Sequence, residues 1–486
     1  MEKEMANYDY PIIVIGAGAG GLVVAIGAAK AGKKVLLIEK GNYGGDCTNY
    51  GCVPSKALIA SGHAAQMIAT GGTYGLAYEA PRIKAAGVMD RVRAIVKKIR
   101  DEEEPPVIAK MGVETLTGKA AFVDPHTLTV DLQEGGTETV TGKEIVIATG
   151  SAPAVLPIPG LDTVPYLTNE TVFDLKEIPK SLAVIGGGAI GCELAQAFAR
   201  LGSNVSILEF FDHIMNREEP EVPVLMEQIF DREGISLYTG YKTNKIGKKG
   251  NSITLEIERR NGESKTTVTC DTLLIAGGRN PNCAGMNLDV IDVECTKRGI
   301  KTDLYGRTTR SNVWAVGDVA GNALFTHTAE NEGRTVLVNL LNPLPWPKTK
   351  RDYKQAVPHV TYTAPEVAGI GLTESKAKEQ YGESKIAVYH YPFDHLDRAI
   401  TTGGTEGFIK IVTKKWSGKI LGATVVAPCA GEMLPELALA MRHGISCRKL
   451  ASLIHAYPTY SLAVRKAADM WLSQTILPSL KKLIGR

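Results

Sequence analysis

The sequence predicts an α/β protein with two Rossmann-like dinucleotide-binding domains and a smaller α+β domain at its C-terminal end. A strand, a glycine-rich turn, a helix and a second strand follow one another from Ile12, and the same pattern recurs from Leu182. Short predicted strands and helices alternate after residue 347. The length of 486 residues suits about three domains of 100–200 residues each.

The composition is that of an ordinary folded protein. Hydrophobic residues make up 44% and charged residues 22% of the chain. These values exclude a disordered protein, a disulfide-stapled miniprotein and a collagen-like fibre. The net charge of +3 gives no electrostatic indication of nucleic-acid binding, and no nucleic-acid partner is expected.

The first repeat of the pattern carries a G-x-G-x-x-G motif after the strand at residues 12–15. Gly16 permits the tight turn, Gly18 lets a pyrophosphate approach the backbone, and Gly21 allows the helix to pack closely on the strand. Glu39 ends the next strand, where a carboxylate accepts a hydrogen bond from a ribose hydroxyl. The spacing therefore predicts one dinucleotide site.

The second repeat has the same parts, with Gly186, Gly188 and Gly191 followed by Glu209. Two sites in one chain suggest one tightly held flavin and one nicotinamide that exchanges. A carboxylate repels a 2′-phosphate, and residues 210–216 contain no Lys or Arg to offset Glu209. We therefore expect NADH rather than NADPH.

Cys47 and Cys52 are the only closely spaced cysteines, with four residues between them. At a helix start such a pair can close a disulfide, and the helix N-terminus lowers a thiol pKa. Zinc binding and inert buried thiols are the alternatives, but zinc needs about four ligands and no second Cys or His pair has metal spacing. No metal site is expected. The remaining cysteines appear singly, as in a reducing compartment: Cys192, Cys270, Cys283, Cys295, Cys429 and Cys447.

Residues 11–29 carry no charge and are as long as a membrane span, but five glycines among them favour a strand, a turn and a helix. The N-terminus lacks the basic start of a signal peptide, so we expect a cytoplasmic protein. The tail at residues 469–486 combines apolar and basic residues, but we do not expect it to contact a membrane.

The segment from Gly44 to Lys56 resembles the redox-active disulfide helix of the class I pyridine nucleotide-disulfide oxidoreductases. That family includes dihydrolipoamide dehydrogenase, glutathione reductase and mercuric reductase. The resemblance covers essentially the whole chain. Its other motifs lie at residues 148–151, 315–318, 364–368, 371–374, 430–433 and 458–459.

The resemblance implies FAD and NADH as cofactors and a homodimer whose active sites are shared between the chains. It also implies an FAD-binding domain at residues 1–152 and 281–346, interrupted by an NAD-binding domain at residues 153–280. A dimerisation domain then occupies residues 347–486, and the proline-rich residues 342–348 form a linker.

Residue roles follow from the same resemblance. Cys52 is expected beside the flavin and Cys47 on the outer side, where it exchanges with the acceptor. Lys56 is expected near flavin N5, paired with Glu193. The flavin-site residues are Gly16, Gly18, Gly21, Glu39, Gly45, Lys56, Thr149, Gly150, Gly317 and Asp318, and the NAD-site residues are Gly186, Gly188, Gly191, Glu209 and Gly278.

The C-terminal end departs from the pattern of the disulfide reductases. Tyr457 stands where they have a His before Pro-Thr, and Leu462 stands where they have the Glu that orients it. A phenol of pKa ≈ 10 is a poor general base near neutral pH. His455 lies two residues too early to replace it, so we expect it to be structural. Tyr457 resembles mercuric reductase, yet that enzyme's C-terminal cysteine pair is absent, since no cysteine follows Cys447.

These features together predict a reductase that passes electrons from NADH through FAD to Cys47 and Cys52, and on to a small acceptor. A metal ion, a quinone or another electrophile fits better than lipoamide or glutathione disulfide. One alternative is a dihydrolipoamide dehydrogenase serving a multienzyme complex. Another is a redox-sensing or interaction flavoprotein with a vestigial cycle. The sequence does not name the acceptor.

Overall fold

The structure, a computed structural model, describes residues 7–77, 79, 81–342, 349–351 and 357–484. Its first part consists of β1 (Tyr10–Ile15), α1 (Ala19–Lys30), β2 (Val35–Glu39), α2 (Gly45–Asn49), α3 (Cys52–Ala69), α4 (Ala85–Arg100), α5 (Pro105–Lys110), β3 (Val113–Asp124), β4 (Thr127–Leu132), β5 (Thr137–Ile147) and β6 (Ser151–Pro153). The second part consists of β7 (Ser181–Ile185), α6 (Ala189–Arg200), β8 (Asn204–Glu209), α7 (Glu221–Arg232), β9 (Ser236–Thr239), β10 (Tyr241–Lys249), β11 (Ser252–Arg259), β12 (Lys265–Cys270) and β13 (Thr272–Ile275).

The chain then continues with β14 (Arg279–Pro281), β15 (Cys295–Thr296), β16 (Gly299–Ile300), β17 (Val313–Ala315) and α8 (Thr326–Leu341). The C-terminal part consists of β18 (His359–Thr361), β19 (Glu366–Gly371), α9 (Glu374–Tyr381), β20 (Ile386–Pro392), α10 (Asp397–Thr402), β21 (Phe408–Lys414), β22 (Ile420–Ala427), α11 (Ala430–Arg442), α12 (Cys447–Ala451), α13 (Leu462–Met470) and α14 (Leu477–Ile484), with a π-helical segment (Trp471–Ile476) before α14.

The first sheet is parallel in the order β3-β2-β1-β5-β17, and β4 pairs antiparallel with the long ends of β3 and β5. Residues 12–15 are apolar and buried because helices cover one face of the sheet and the β3–β5 layer covers the other. Since β17 comes after the second unit in the chain, the first sheet is assembled from two separate stretches. Parallel strands bring their carboxyl ends to one edge, where ligands of such sheets bind.

The second unit repeats this design on a smaller scale. Its parallel sheet has the order β13-β7-β8-β9, and the antiparallel β10-β11-β12 layer packs beside it. The two passages between the units pair with each other, because β6 lies antiparallel to β14. This pairing fixes the distance between the carboxyl edges of the two parallel sheets.

The C-terminal part is built on an antiparallel sheet in the order β18-β19-β22-β21-β20. Helices α11, α12 and α13 pack on it around a continuous apolar core. The α/β class and the C-terminal α+β architecture predicted from the sequence are therefore confirmed. The domain boundaries at 152/153 and 280/281 stay predictions, and most of the predicted linker, at residues 343–348, lies outside the described residues.

Two expectations from the sequence meet the structure here. The uncharged stretch at residues 11–29 forms β1 and α1, and no helix in the described part of the chain is long and apolar enough to cross a membrane.

The expectation that the remaining cysteines stand singly is wrong for one pair. Cys283 and Cys295 form a disulfide, because the loop between them brings their side chains together.

Candidate active site

The glycine turn after β1 leaves room for a pyrophosphate. Gly16 has φ +107°, and a Cβ there would lie 2.3 Å from the carbonyl oxygen of Ala148. A Cβ on Gly45 would lie 2.6 Å from the Cα of Gly18, so the two backbones pass without side chains between them. Glu39 accepts hydrogen bonds from Ala17 N–H at 2.7 Å and from Gly41 N–H at 2.8 Å. The residues therefore fit the adenosine and pyrophosphate of FAD.

The turn after β7 has the same construction. A Cβ on Gly191 would lie 1.9 Å from the carbonyl oxygen of Gly186, so only glycine permits this approach. The Glu209 carboxylate is buried and accepts hydrogen bonds from the backbone N–H groups of Gly187 at 2.5 Å and Phe211 at 2.8 Å. Its position at the end of β8 is that of a carboxylate that binds ribose hydroxyls.

A cation, Arg260, lies near this second dinucleotide site, although residues 210–216 contain no Lys or Arg. The Arg260 guanidinium lies 4.7 Å from the Phe210 ring centre and 3.5 Å from the Asp212 carboxylate. It comes from the turn after β11, about 50 residues along the chain, which is why the local sequence gave no sign of it. Asp212 pairs with this guanidinium, and Arg217, one residue beyond that stretch, lines the cavity together with Glu209.

The two cysteines meet at the start of α3. Cys47 lies on α2 and Cys52 is the first residue of α3, and both are free thiols. The hydrogen bond from Cys47 is the largest cause that lowers the pKa of Cys52, to about 6. The hydroxyl of Thr326, 3.6 Å from the Cys52 sulfur, and the charge of Lys56 act in the same direction, against the effect of burial.

The opposite shift applies to Cys47. Its hydrogen bond to Cys52 and its burial raise the pKa of the Cys47 thiol well above the ordinary value. In the reduced pair, Cys52 therefore holds the negative charge and Cys47 keeps the proton. The roles predicted from the sequence, with Cys52 beside the flavin and Cys47 on the outer side, stay predictions.

Lys56 forms a short ion pair with Glu193, 2.8 Å from Nζ to Oε2. Glu193 is only 6% exposed, and its other oxygen accepts the backbone N–H of Tyr362 at 2.8 Å. The Lys56 ammonium also lies 4.5 Å from the centre of the Tyr362 ring. The ammonium is thereby fixed in the cavity one helical turn after Cys52.

Asp318 lies across the cavity in the turn after β17. Ser151 donates a hydrogen bond to its carboxylate at 2.6 Å, and Arg279 lies 3.8 Å from it. Arg279 also pairs with Asp46 at 3.1 Å, which joins this wall to the helix that carries Cys47. Burial raises the pKa of Asp318, while the hydrogen bond from Ser151 lowers it. Gly317 precedes Asp318 with φ +75°, a conformation that favours glycine.

One continuous cavity of about 2800 Å³ connects these groups. It exceeds the ~300–1,000 Å³ typical of a single small-molecule pocket, so it can take two dinucleotides. Most predicted site residues reach it, including Gly18, Glu39, Gly45, Cys47, Cys52, Lys56, Thr149, Gly150, Gly186, Gly188, Glu193, Glu209, Gly278, Gly317 and Asp318. Gly16, Gly21 and Gly191 lie behind the wall, where they shape the two turns.

Tyr457 is not brought to this cavity within one chain. Its side chain is 70% exposed, and its hydroxyl donates a hydrogen bond to Asp397 at 2.8 Å. This hydrogen bond and the charge of Asp397 raise the pKa of Tyr457. Among the described residues, none from 453 to 461 lines the cavity of the same chain. The His455 ring lies 3.0 Å from the Glu436 carboxylate, and its structural role stays a prediction.

Sequence reasoning missed several site residues. Thr326, Arg279 and Tyr362 reach the cavity from elements far from the motifs they serve. Each lies at an element terminus that the sequence did not predict, since Thr326 begins α8, Arg279 begins β14 and Tyr362 follows β18. Among the described residues, no group of three or more His, Cys, Asp or Glu is placed to hold a metal ion.

Two nucleotide-binding turns facing a reactive thiol pair define a flavin- and nicotinamide-dependent disulfide oxidoreductase. Residues 10–333 match the family described as pyridine nucleotide-disulphide oxidoreductase, and residues 357–468 match the dimerisation domain of that family. The chain belongs to this family, whose enzymes use FAD and NAD(P)H. The second match supports a homodimer.

Relatives of the chain have two different activities, mercuric reductase and dihydrolipoyl dehydrogenase. The chain is 35% identical over 472 residues to mercuric reductase of Streptomyces lividans, across 96% of this chain and 97% of that protein. It is 35% identical over 465 residues to dihydrolipoyl dehydrogenase of Geobacillus stearothermophilus, across 96% of each.

Solved structures agree with this assignment. The HOCl-induced flavoprotein disulfide reductase RclA from Escherichia coli superposes with a TM-score of 0.84 at 28% identity, over 95% of this chain and 100% of that one. Its Cu(II) complex superposes with a TM-score of 0.84 at 28% identity, over 95% and 99% of the two chains.

Proposed function

We propose that the chain is an NADH-dependent flavoprotein reductase whose Cys47–Cys52 pair passes electrons to a small electrophilic acceptor, with a metal ion foremost. The observation that carries this proposal is the Tyr457–Asp397 pair, which stands where disulfide reductases have a His. The Tyr457 hydroxyl donates its proton in a hydrogen bond to the Asp397 carboxylate. Tyr457 thus offers lone pairs to an acceptor and no transferable proton to a leaving thiolate.

Bound FAD would supply the two-electron chemistry that links a nicotinamide to a disulfide. The residues proposed to hold it are Glu39 with its glycine turn, Asp318 with Ser151, and the Lys56 ammonium. Glu209 and the turn that begins at Gly186 are proposed to hold NADH. The start of α8 and strand β18 line the same cavity as the two cysteines.

The chain's own thiols determine the direction of attack. Cys52 is held as a thiolate by Cys47, Thr326 and Lys56, which suits the position closest to the flavin. Cys47 keeps its proton at neutral pH and becomes nucleophilic only after that proton is lost to solvent. An acceptor that binds thiolates strongly, such as a soft metal ion, promotes this loss without a general base.

The relatives support both candidate acceptor classes. One relative is a mercuric reductase, and one similar solved structure is a Cu(II) complex of a disulfide reductase, so both involve a metal ion. Dihydrolipoyl dehydrogenase is the second candidate, favoured by equal sequence identity. The absence of a His at position 457 weighs against it.

We further propose a cytoplasmic enzyme, because reduced thiols and NADH coexist there. A shared active site is proposed as well, with Tyr457 of one chain serving the thiols of its partner.

An acceptor screen tests the proposed function. NADH oxidation by purified holoenzyme is followed with Hg²⁺, Cu²⁺, a quinone, lipoamide and glutathione disulfide, each at equal concentration. We expect turnover with a metal ion that exceeds turnover with either disulfide. The proposal is wrong if lipoamide is the best acceptor.

A further inference from the structure

The disulfide between Cys283 and Cys295 lies outside the proposed catalytic pair. The two residues are twelve positions apart, and Cys295 is exposed while Cys283 is half-buried. The other six cysteines, Cys47 and Cys52 among them, are free thiols. The bond therefore has one end on an exposed residue, while the other six cysteines form no disulfide.

The Cys283 end of this bond is tied to the flavin wall. The preceding residue, Asn282, donates hydrogen bonds to the carbonyl oxygens of Gly150 (from its backbone N–H) and Thr149 (from its side chain), each at 2.9 Å. The Thr149 hydroxyl in turn donates to the carbonyl oxygen of Asn282 at 2.8 Å. Thr149, Gly150 and Asn282 all line the cavity.

The Cys295 end is tied to the turn that carries Asp318. Cys295 pairs with Ile300 in the β15–β16 hairpin. A Cβ on Gly299 would lie 2.4 Å from the carbonyl oxygen of Val319, and one on Gly321 would lie 1.7 Å from that of Arg298. The hairpin thus packs directly against the residues that follow Asp318.

We propose that Cys283–Cys295 is a second redox site, reduced by small dithiols, and that its reduction loosens the flavin site. The bond links the two walls just described, so it limits their separation. The loop between the cysteines has its own anchors, since Phe122 N–H donates to Met286 at 3.0 Å and Ile291 is buried. Reduction therefore removes one of the links between the two walls without unfolding the domain, while the hydrogen bond from Ser151 to Asp318 and the pairing of β5 with β17 remain.

The chemistry is ordinary thiol–disulfide exchange. A thiolate of the dithiol attacks the sulfur of Cys295, the exposed residue of the pair. A mixed disulfide forms, and Cys283 leaves as a thiolate that takes a proton. The second thiol of the reagent then attacks the mixed disulfide and releases Cys295. Two electrons and two protons pass to the protein, and the reagent becomes a cyclic disulfide.

The test uses FAD-loaded holoenzyme of the variant Cys47→Ser/Cys52→Ser, in which dithiothreitol can reduce only the second pair. FAD release is followed by its fluorescence with and without dithiothreitol, and mass spectrometry after alkylation counts the thiols. We expect reduction to increase the rate of FAD release about tenfold, which corresponds to about 1.4 kcal/mol in the activation free energy of release. Adding Cys283→Ser/Cys295→Ser should give the fast rate in both conditions.

Replacing Cys429, a half-buried free thiol, by Ser in the same background is the matched control and should leave the response to dithiothreitol unchanged. The proposal is overturned if alkylation finds Cys283 and Cys295 as thiols before treatment, or if their reduction leaves FAD release unchanged. It rests on the proposed placement of FAD. A chain that binds no FAD at all would contradict the proposed function instead.

Discussion

At the scale of single residues, the thiol pair gives a pH-dependent prediction. Because the pKa of Cys52 is lowered to about 6, its thiolate fraction rises as the pH passes 6 and is nearly complete at pH 8. We expect iodoacetamide to modify Cys52 of the reduced protein with that pH profile, and Cys47 far more slowly. Mass spectrometry after timed alkylation between pH 5 and 9 measures both rates.

Two variants separate the causes of this shift. Cys47→Ser replaces the principal hydrogen-bond donor, and Thr326→Val removes the second. Each should move the Cys52 profile to higher pH, and Cys47→Ser should keep it lower than Cys47→Ala because a hydroxyl still donates. Identical profiles in all variants would show that neighbouring hydrogen bonds do not determine the reactivity of Cys52.

The nicotinamide preference is also determined by single residues. Glu209 presents a buried carboxylate at the ribose position, and we expect NADH to be preferred over NADPH by at least about tenfold in kcat/KM. Glu209→Arg should narrow or reverse the preference. Arg260→Ala tests the cation brought in from β11 and should lower the residual use of NADPH. Equal use of both donors by the unmodified enzyme would contradict the interpretation of Glu209.

Tyr457 gives the third prediction. We expect lipoamide to be a poor acceptor, and Tyr457→His to raise its turnover, since general acid–base help is worth roughly 10²–10⁴-fold. Asp397, which accepts the hydrogen bond of the Tyr457 hydroxyl, is the nearby carboxylate on this side of the residue. Steady-state lipoamide reduction measures the gain, and Tyr457→Phe should show none. High lipoamide turnover before any change would favour the dehydrogenase alternative.

Leu462, which stands where disulfide reductases have a Glu, should not be replaced by Glu in this experiment. Leu462 is 7% exposed and belongs to the core of the C-terminal part. A Glu at this position would bury a carboxylate among apolar side chains, at a cost of several kcal/mol unless it changes protonation. The structure therefore points to Asp397, rather than position 462, as the partner for a His at 457.

At the scale of elements, a buried ion cluster joins the NAD-binding part to the C-terminal part. Lys410 on β21 is 2% exposed and lies within 3.1 Å of Glu219, Glu221 and Glu374. Lys410→Met leaves these carboxylates without their shared cation. We expect a loss of about 3–5 kcal/mol in the free energy of unfolding, measured by denaturant titration.

The exposed pair Arg232–Glu406 joins the same two parts of the chain and serves as the matched control. Arg232→Met should cost less than about 1 kcal/mol. A comparable loss from both variants would mean that burial is not what makes the Lys410 cluster stabilising.

The elements also show what the sequence could predict. Both nucleotide-binding turns were predictable because their glycines and their acidic residue lie within about 25 positions, where local sterics and strand order decide the geometry. Arg279, Thr326 and Arg260 were not, because each reaches its site through a fold that brings distant segments together. The Cys283–Cys295 bond belongs with them, since its closure depends on a loop conformation that no local pattern encodes.

At the scale of the whole molecule, the exposure of Tyr457 is the strongest indication that one chain does not complete a site. A large side chain that is 70% exposed and hydrogen-bonded in place is available to a second chain. The dimerisation domain supplies the means for that approach. Removing the C-terminal segment is a poor test, because α13 and Trp471 belong to the domain core and the chain would not fold without them.

A mixed dimer of point variants tests the shared site directly. One chain carries Cys52→Ser and the other Tyr457→Ala, and differently tagged chains are purified together with FAD bound. We expect each homodimer to be impaired, since one lacks the thiol and the other the acceptor-side phenol. The heterodimer combines intact thiols from one chain with Tyr457 from its partner, and should recover about half of the wild-type turnover because one of its two sites is complete.

An active site completed within one chain predicts a different turnover for the heterodimer. If Tyr457 served the thiols of its own chain, the heterodimer would contain one dead site and one Tyr457→Ala site. Its turnover would then be half that of the Tyr457→Ala homodimer, and no recovery would occur. An unimpaired Tyr457→Ala homodimer would instead show that the phenol has no part in the reaction, whichever chain supplies it.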